Sequence, residues 1–499
     1  MGETVIQKPS GSVEWLPWGS EAFTRARTRD VPILLAIGAS WCQGSSEMSQ
    51  TTYCDPVVCE LIAGRFVPIW VDAELRPDVN ERYNLGGWPT TAFLSPNGQI
   101  LGGETYVEPS RMTELLRRVA QAFEQRRDDI SALSDAKRSP VKDDTRDEFV
   151  EEDGNVTDWL ERHVVEQFDV MHGGFGTEPK RVHAPTVRFV LQRVSIGKNN
   201  LREVATRTLD AIAWGGLYDD VNGGVFRYCS GCDWTAPRVE KLLNINAGVL
   251  ELLLDGWEVL GEMRYRDRAV ELIRYVLETL TDHEAGGFFS SQYADANYYS
   301  TDAMGRQQLA QPAVDRSIYA DGTAKMAGAF LHAAAAFDDS SLLEFAATAL
   351  ERVVGDTYQR GHGIAHDVDG GQAVRGLLAD QVLVSDSLLD LYAATDREVY
   401  LDIAQELMRF SLRALWDAHK GGFYDRVVAE DDVGLLRQPL KVFVDNCSAA
   451  RVLTRLSHLT ANDEFRERAV TTLASQRSRA RGHGVLAASW VLAELELDE

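Results

Sequence analysis

The chain has 499 residues, 44% hydrophobic and 25% charged, a length that holds two or three large cores and a composition that excludes a disordered or fibrous protein. Asp and Glu number 76 against 51 Lys and Arg, a formal charge of -25. Such a surface is expected to be repelled by nucleic-acid phosphates and anionic bilayers, so neither is an expected partner.

The opening stretch MGETVIQKPSGSVEW shows no basic segment followed by an apolar one, and no later run reaches the ~18 apolar residues of a membrane span. The expected location is cytoplasmic. Arg outnumbers Lys more than four to one; an acidic, Lys-poor surface suits a salt-rich cytoplasm, and a GC-rich genome accounts for the Arg excess equally well.

Residues 1–123 read as one alternating α/β domain. VEWLPWGSEAFTRARTRD is expected to be an amphipathic helix, with Trp15, Trp18, Phe23 and Ala26 at helical spacing. VPILLAIGA follows as a strand buried on both faces, DPVVCELIAGR as helix and FVPIWVDA as a second buried strand. TTAFLSPNGQIL reads as a hairpin turning at Pro96-Asn97-Gly98, and PSRMTELLRRVAQAFEQ as a closing helix. Residues 124–152 are charge-rich without apolar period, as in a linker.

From 153 to 499 long apolar-periodic helices dominate. A signature recurs between them: HGGFG at 172, NGGVF at 222, AGGFF at 285, GHGIAHD at 361 and KGGFYD at 420. The intervals match a helix pair plus a loop, so the region reads as a closed array of α-hairpins. About twelve helices fit an (α/α)6 toroid whose long loops gather at one mouth.

ASWCQGSSEM follows the first buried strand directly. A cysteine there starts a helix, where the macrodipole and free N–H groups favour thiolate. Trp88-Pro89-Thr90 precedes the next buried segment, the place of the cis proline in a thioredoxin-like fold, opposite the thiol and able to pair with an extended ligand.

The order IGASWC, VDAELRPDVNERY, GGWPTTAFLSPNG resembles the thioredoxin-like domain of the DUF255 family, also called the spermatogenesis-associated protein 20 family. FDVMHGGFGTEPK, GGLYDDVNGGVFRY, WTAPRVEKLLNINA, GGFFSSQYADA and GLLADQVLVSDSLLDLYAATD resemble its helical domain. The resemblance implies a barrel like that of N-acylglucosamine 2-epimerase and of six-hairpin glycosidases. Where the family reads Cys-His-Trp-Cys-His, this chain has Cys42-Gln43-Gly44-Ser45-Ser46. Ser45 replaces the second cysteine, so an intramolecular CxxC disulfide is impossible and Cys42 is either a monothiol or a relic. Cys54 and Cys59 are alternative resolving thiols.

The resemblance implies that carboxylates and aromatics at the barrel mouth act on a sugar. Glu240 and Asp295 are the expected acid/base pair, beside Cys42 and Ser45 in the other domain. Trp88, Pro89, Lys180, Asp219, Arg227, Lys241, Asp321, Asp380 and Tyr424 are the expected ligand-binding residues; Asp220 and Asp425 lie beside the same turns. The competing reading makes an Asp next to Gly-Gly a turn former. The family segment HFEKMLYDNA is RVEKLLNINA here, its histidine and aspartate lost, with Val239 and Ile245 read as the replacements. Glu240, Lys241 and Asn246 persist. Cys229-Ser-Gly-Cys232 is half a zinc knuckle with no second ligand pair nearby; its CxxC spacing also permits a strained disulfide, and local packing is its expected role. No cofactor or metal is expected. The expected partner is a sugar-like small molecule or a disulfide-bearing client, with the oligomeric state open. Three functions thus compete: a binding or weakly catalytic protein that has lost both chemistries, a carbohydrate isomerase, epimerase or hydrolase, and a monothiol redox protein.

Overall fold

The structure, a computed structural model, describes residues 13–126, 154–368, 370 and 374–498. The expected linker at 124–152 thus falls almost wholly outside the described residues. The chain divides into two compact units, Met1–Thr145 with Arg426–Leu440, and Arg146–Asp425 with Lys441–Glu499. Residues 426–440, assigned from sequence to the helical domain, group instead with the first unit.

In the first unit a four-stranded sheet runs in the order β2-β1-β3-β4. The strands are β1 (Ile33–Gly38), β2 (Val67–Asp72), β3 (Thr90–Leu94) and β4 (Ile100–Glu104). β1 pairs parallel with β2 and antiparallel with β3. All six β1 residues are buried, which is why the run is apolar on both faces. The β3–β4 turn closes where Gly98 N–H donates to Ser95 O, with Gly98 at φ +87°.

The helices are α1 (Ser20–Arg29), α2 (Gln43–Gln50), α3 (Pro56–Arg65), α4 (Pro77–Tyr83) and α5 (Pro109–Gln125). The helix expected over 13–30 is thus only its second half. Pro17 and Gly19 break the pattern, and Leu16 pairs in parallel with Ile69 through bonds to Pro68 O and from Trp70 N, both 3.0 Å. Trp15 is buried in the sheet core, edge-on to Tyr53 and Trp70. Within the same unit Tyr83 Oη donates to Gly98 O at 2.9 Å and accepts from Leu435 N at 2.7 Å. Arg82 donates to the carbonyls of Leu435 and Gln438.

Among the described residues the second unit has twelve long helices, besides the four-residue helices Ala296–Tyr299 and Ala303–Arg306: α6 (Val156–Gln167), α7 (Ala184–Ser195), α8 (Arg202–Trp214), α9 (Leu243–Leu260), α10 (Met263–Thr279), α11 (Ala320–Phe337), α12 (Ser340–Thr357), α13 (Leu378–Thr395), α14 (Glu398–Ala414), α15 (Phe443–Thr460), α16 (Asp463–Ala480) and α17 (Ala488–Asp498). Helices α7, α9, α11, α13, α15 and α17 touch in sequence, and α17 returns to α7. That closed ring is the inner layer of an (α/α)6 barrel, and the other six helices stand outside it. Inner-to-outer connections are short and outer-to-inner ones long, apart from the seven-residue link Arg481–Ala487 between α16 and α17, so the long loops collect where the inner helices begin. No helix among the described residues is long and apolar enough to cross a membrane.

Candidate functional site

The thiol loop comes first in the chain. Cys42 is the N-cap residue of α2, 4% exposed, and its Sγ donates to Trp88 O at 3.4 Å. The Trp88–Pro89 peptide is cis. Ser45 is buried, and its Oγ accepts from Ala39 N at 3.2 Å. Cys54 and Cys59 donate to Ser49 O and Tyr53 O, and all six cysteines are free. The loop therefore holds one sheltered thiol against a backbone carbonyl. Trp88 is half-buried, its Nε1 bonded to Asn80 Oδ1.

In the barrel, four of the glycine turns share one device. An aspartate opens each turn, its Oδ1 accepting N–H groups two or three residues on, while its backbone pairs with the two glycines. A cation, buried in the case of Lys180 and Lys241 and partly buried in the case of Arg352 and Lys441, then bridges its Oδ2 to a turn carbonyl. Lys180 does so for Asp169 and Gly176, both at 2.7 Å. Lys241 bonds Asp219 at 2.7 Å and Gly223 O at 2.6 Å, Lys441 bonds Asp417 and Gly421 O, and Arg352 bonds Asp282 and Gly286 O. Both glycines of each pair have φ of +71° or more. A Cβ on Gly173 would meet Arg207 O at 2.5 Å, so the helix packing demands glycine as well as the turn does.

This device reassigns several expected ligand residues. Lys180 and Lys241 have no exposed surface and Asp219 almost none, so they lock turns. Arg306 adds a second cation to Asp219 at 2.8 Å from each oxygen. Burial presses the Lys241 ammonium down to about 8 against the pull of Asp219. Asp169 would be raised by burial, but Lys180 and the turn N–H groups hold it down at about 2. Tyr424 hydrogen-bonds Asp417 within the same kind of turn, with Lys441 over its ring. Asp295 caps the short helix Ala296–Tyr299 through Tyr298 N at 2.9 Å. Asp220 is an exposed partner of Arg268.

The fourth residue of three inner helices pins the segment after the turn. Asn246 grips Val225, Asn446 grips Phe423 and Gln381 grips Ile364, each taking the backbone N–H and giving an amide N–H to the carbonyl. Aligned letter by letter, the family's missing histidine falls on Arg238, which is exposed, and Val239 stands for the phenylalanine.

What remains at the mouth is a cluster on the first turns of α11 and α13. His366 lies flat on Tyr319, ring centroids 5.0 Å apart and 13° from parallel. Its Nδ1 is 2.9 Å from Asp380 Oδ1 and 4.0 Å from Asp321 Oδ1. Asp380 is fully buried, and its Oδ2 has no hydrogen-bond partner among the described residues. Burial raises the Asp380 carboxyl above the usual range despite the imidazole beside it. Asp321 is a half-buried neighbour. Sequence reasoning named both aspartates but missed His366, whose only signal was the second histidine of GHGIAHD. Glu240 is also buried, with Oε1 3.6 Å from Arg227 and Oε2 unpartnered among the described residues. Cys229 and Cys232 form no disulfide, and burial raises the Cys229 thiol to about 12, consistent with packing.

Below this cluster the barrel axis is ionic. Arg188 on α7 pairs with Glu251 and Asp255 of α9, Arg455 on α15 with Asp386 and Asp390 of α13, and Arg451 with Glu496 of α17. Asp386 lies six residues beyond Asp380 on one helix, so the ionic layer starts ~9 Å deeper. Burial, with Asp386 adding to it, raises Asp390 to about 6 even though Arg455 pulls the other way.

The two units define a thioredoxin-like fold joined to an (α/α)6 barrel that carries a polar cluster at its mouth. Residues 3–141 match the family model described as a protein of unknown function, DUF255. Human spermatogenesis-associated protein 20 is 28% identical over 318 residues, covering 58% of this chain and 40% of that protein. The uncharacterized protein B0495.5 of Caenorhabditis elegans is 26% identical over 320 residues, covering 58% and 43%. The chain thus spans well under half the length of these relatives. Among solved structures, cellobiose 2-epimerase from Bacillus thermoamylovorans superposes with a TM-score of 0.52 at 10% identity, over 65% of this chain and 87% of that one. A D-mannose isomerase gives 0.50 at 14%, over 66% and 88%. A GH76 alpha-mannanase of Bacteroides thetaiotaomicron gives 0.50 at 11%, over 69% and 96%. At these identities the likeness establishes the barrel fold alone.

Proposed function

We propose that the barrel binds a small polyhydroxylated molecule of the carbohydrate class at its mouth and moves a proton on it, as an isomerase or epimerase does. The observation that carries this reading is the His366–Asp380 pair, 2.9 Å apart, with Asp321 beside it. A carboxylate on Nδ1 fixes the tautomer of an imidazole and stabilises its charged form, which suits it to proton transfer near neutral pH. Tyr319 supplies a flat wall beside the imidazole. The names of the barrel's structural neighbours add the substrate class, and the strong negative charge argues against nucleic acid as the ligand.

The test is release of deuterium from C2-deuterated mannose, glucose and cellobiose by EDTA-treated protein. Wild type should exchange at least one of them. His366→Gln should lower the rate by ~10²- to 10⁴-fold. No exchange, together with no saturation-transfer NMR signal from any sugar of the panel, would refute the proposal.

A second reading rests on one observation, that Cys42 opens α2 at its N-terminal end. In it the first unit is a monothiol acceptor for one disulfide-bearing client, resolved by an external thiol.

A further inference from the structure

We infer that Asp321, His366 and Asp380 form a binding site for a divalent transition cation of the Zn²⁺ or Mn²⁺ class. One donor atom from each lies within 4.8 Å of the other two. The three come from separate pieces of chain: the first turn of α11, the segment before α13, and the first turn of α13. With a neutral imidazole the set carries two negative charges, which a divalent ion balances. One imidazole nitrogen and two carboxylates are the donor types such ions take, and three protein ligands leave positions open for water or ligand oxygens.

A cluster of this composition alone would be no more than a polar patch. The independent observation is Asp380 Oδ2, fully buried and without a hydrogen-bond partner among the described residues. A buried carboxylate oxygen left unpaired is costly, and coordination to an ion supplies the missing partner. Tyr319, stacked on His366, holds the ring in place as a ligand requires. On binding, Nδ1 gives its lone pair to the ion, and the single imidazole proton resides on Nε2. No proton leaves the neutral ring.

A second triad, Asp255, Glu258 and His332, has the same donor types and serves as an internal control. Its Asp255 already pairs with Arg188, and its Glu258 is half exposed and bonded to His332. Among the described residues it offers no buried carboxylate oxygen left without a partner.

The inference does not depend on the sugar reading, whose exchange assay uses metal-free protein. The experiment is isothermal titration of EDTA-treated full-length protein with Zn²⁺ and with Mn²⁺, followed by metal analysis after gel filtration. About one ion per chain should be retained. His366→Ala and Asp380→Asn should abolish retention, and the half-exposed Asp321→Asn, least able to disturb folding, should weaken binding at least ~10-fold. His332→Ala should leave stoichiometry and affinity unchanged. Thermal melts of each variant show whether it is folded. Wild type that retains no ion, an Asp321→Asn variant that binds as wild type, or loss of the ion in His332→Ala would each overturn the assignment.

Discussion

Lys241 Nζ lies 2.7 Å from Asp219 Oδ2 in the interior of the barrel domain, and neither side chain reaches the funnel surface. A pair that reads in sequence like a substrate clamp is a rivet in a turn. Lys241→Met leaves Asp219 with Arg306 as its remaining cation and Gly223 O without its donor, so it should cost ~1–3 kcal/mol. The exposed Lys420→Met should cost less than ~0.5 kcal/mol. Urea denaturation of both variants decides; equal small losses would show that the turn does not rely on its cation.

The amide grips should be nearly as sensitive. Asn446→Ala frees the N–H and carbonyl of Phe423 in a buried setting. Each unsatisfied group costs ~1–3 kcal/mol, so a loss of ~2–4 kcal/mol is expected. Asn446→Asp should rescue only the N–H contact and recover part of it. A neutral Asn446→Ala melt would remove the grip from the account.

Asp390 sets a pH dependence of unusual sign for an acid. Its folded carboxyl is raised to about 6 by burial beside Asp386, whereas the unfolded one titrates near ~4. Between those values the folded state binds the extra proton. Stability therefore rises as pH falls from about 7 towards ~4, and it falls again as pH rises through 6. Asp390→Asn should flatten that stretch of the profile. A profile that keeps its slope in the variant would assign the proton to another group.

Cys42 can be interrogated directly. Without a second cysteine in the loop the protein should not turn over insulin disulfides. Under the monothiol reading, brief exposure to oxidised glutathione should add one glutathione, absent in Cys42→Ala. An unmodified wild type, or an adduct mapped to Cys54 or Cys232, would leave Cys42 as a sheltered structural thiol bonded to Trp88 O.

The architecture was largely legible because the Gly-Gly-aromatic signature marks a backbone requirement, positive φ, that few residues meet. The site was less so. Asp219, Lys180 and Lys241 carry the same letters whether an ion pair faces a ligand or closes a turn, and only burial separates the two. The alternative of a turn former, weighed for any Asp beside Gly-Gly, describes Asp219. His366 went unnoticed because GHGIAHD breaks the Gly-Gly-aromatic pattern and its partner Asp380 is fourteen residues away. Trp15 and Trp18 sit at helical spacing, yet Pro17 between them commits the chain to extended structure.

The grouping of residues 426–440 with the thioredoxin-like unit means that this unit is written in two separate stretches of the gene. Leu435 and Gln438 accept from Arg82, and Leu435 N–H donates to Tyr83, so the second stretch completes bonds that the first leaves open. A protease cutting once, within 124–152, would leave the unit still tethered to the rest of the polypeptide through residues 425 and 441. Truncation after residue 145 would expose the Arg82–Tyr83 face to water. The unit is therefore not a cassette that recombination could add or delete by a single crossover, and its inheritance is bound to that of the barrel.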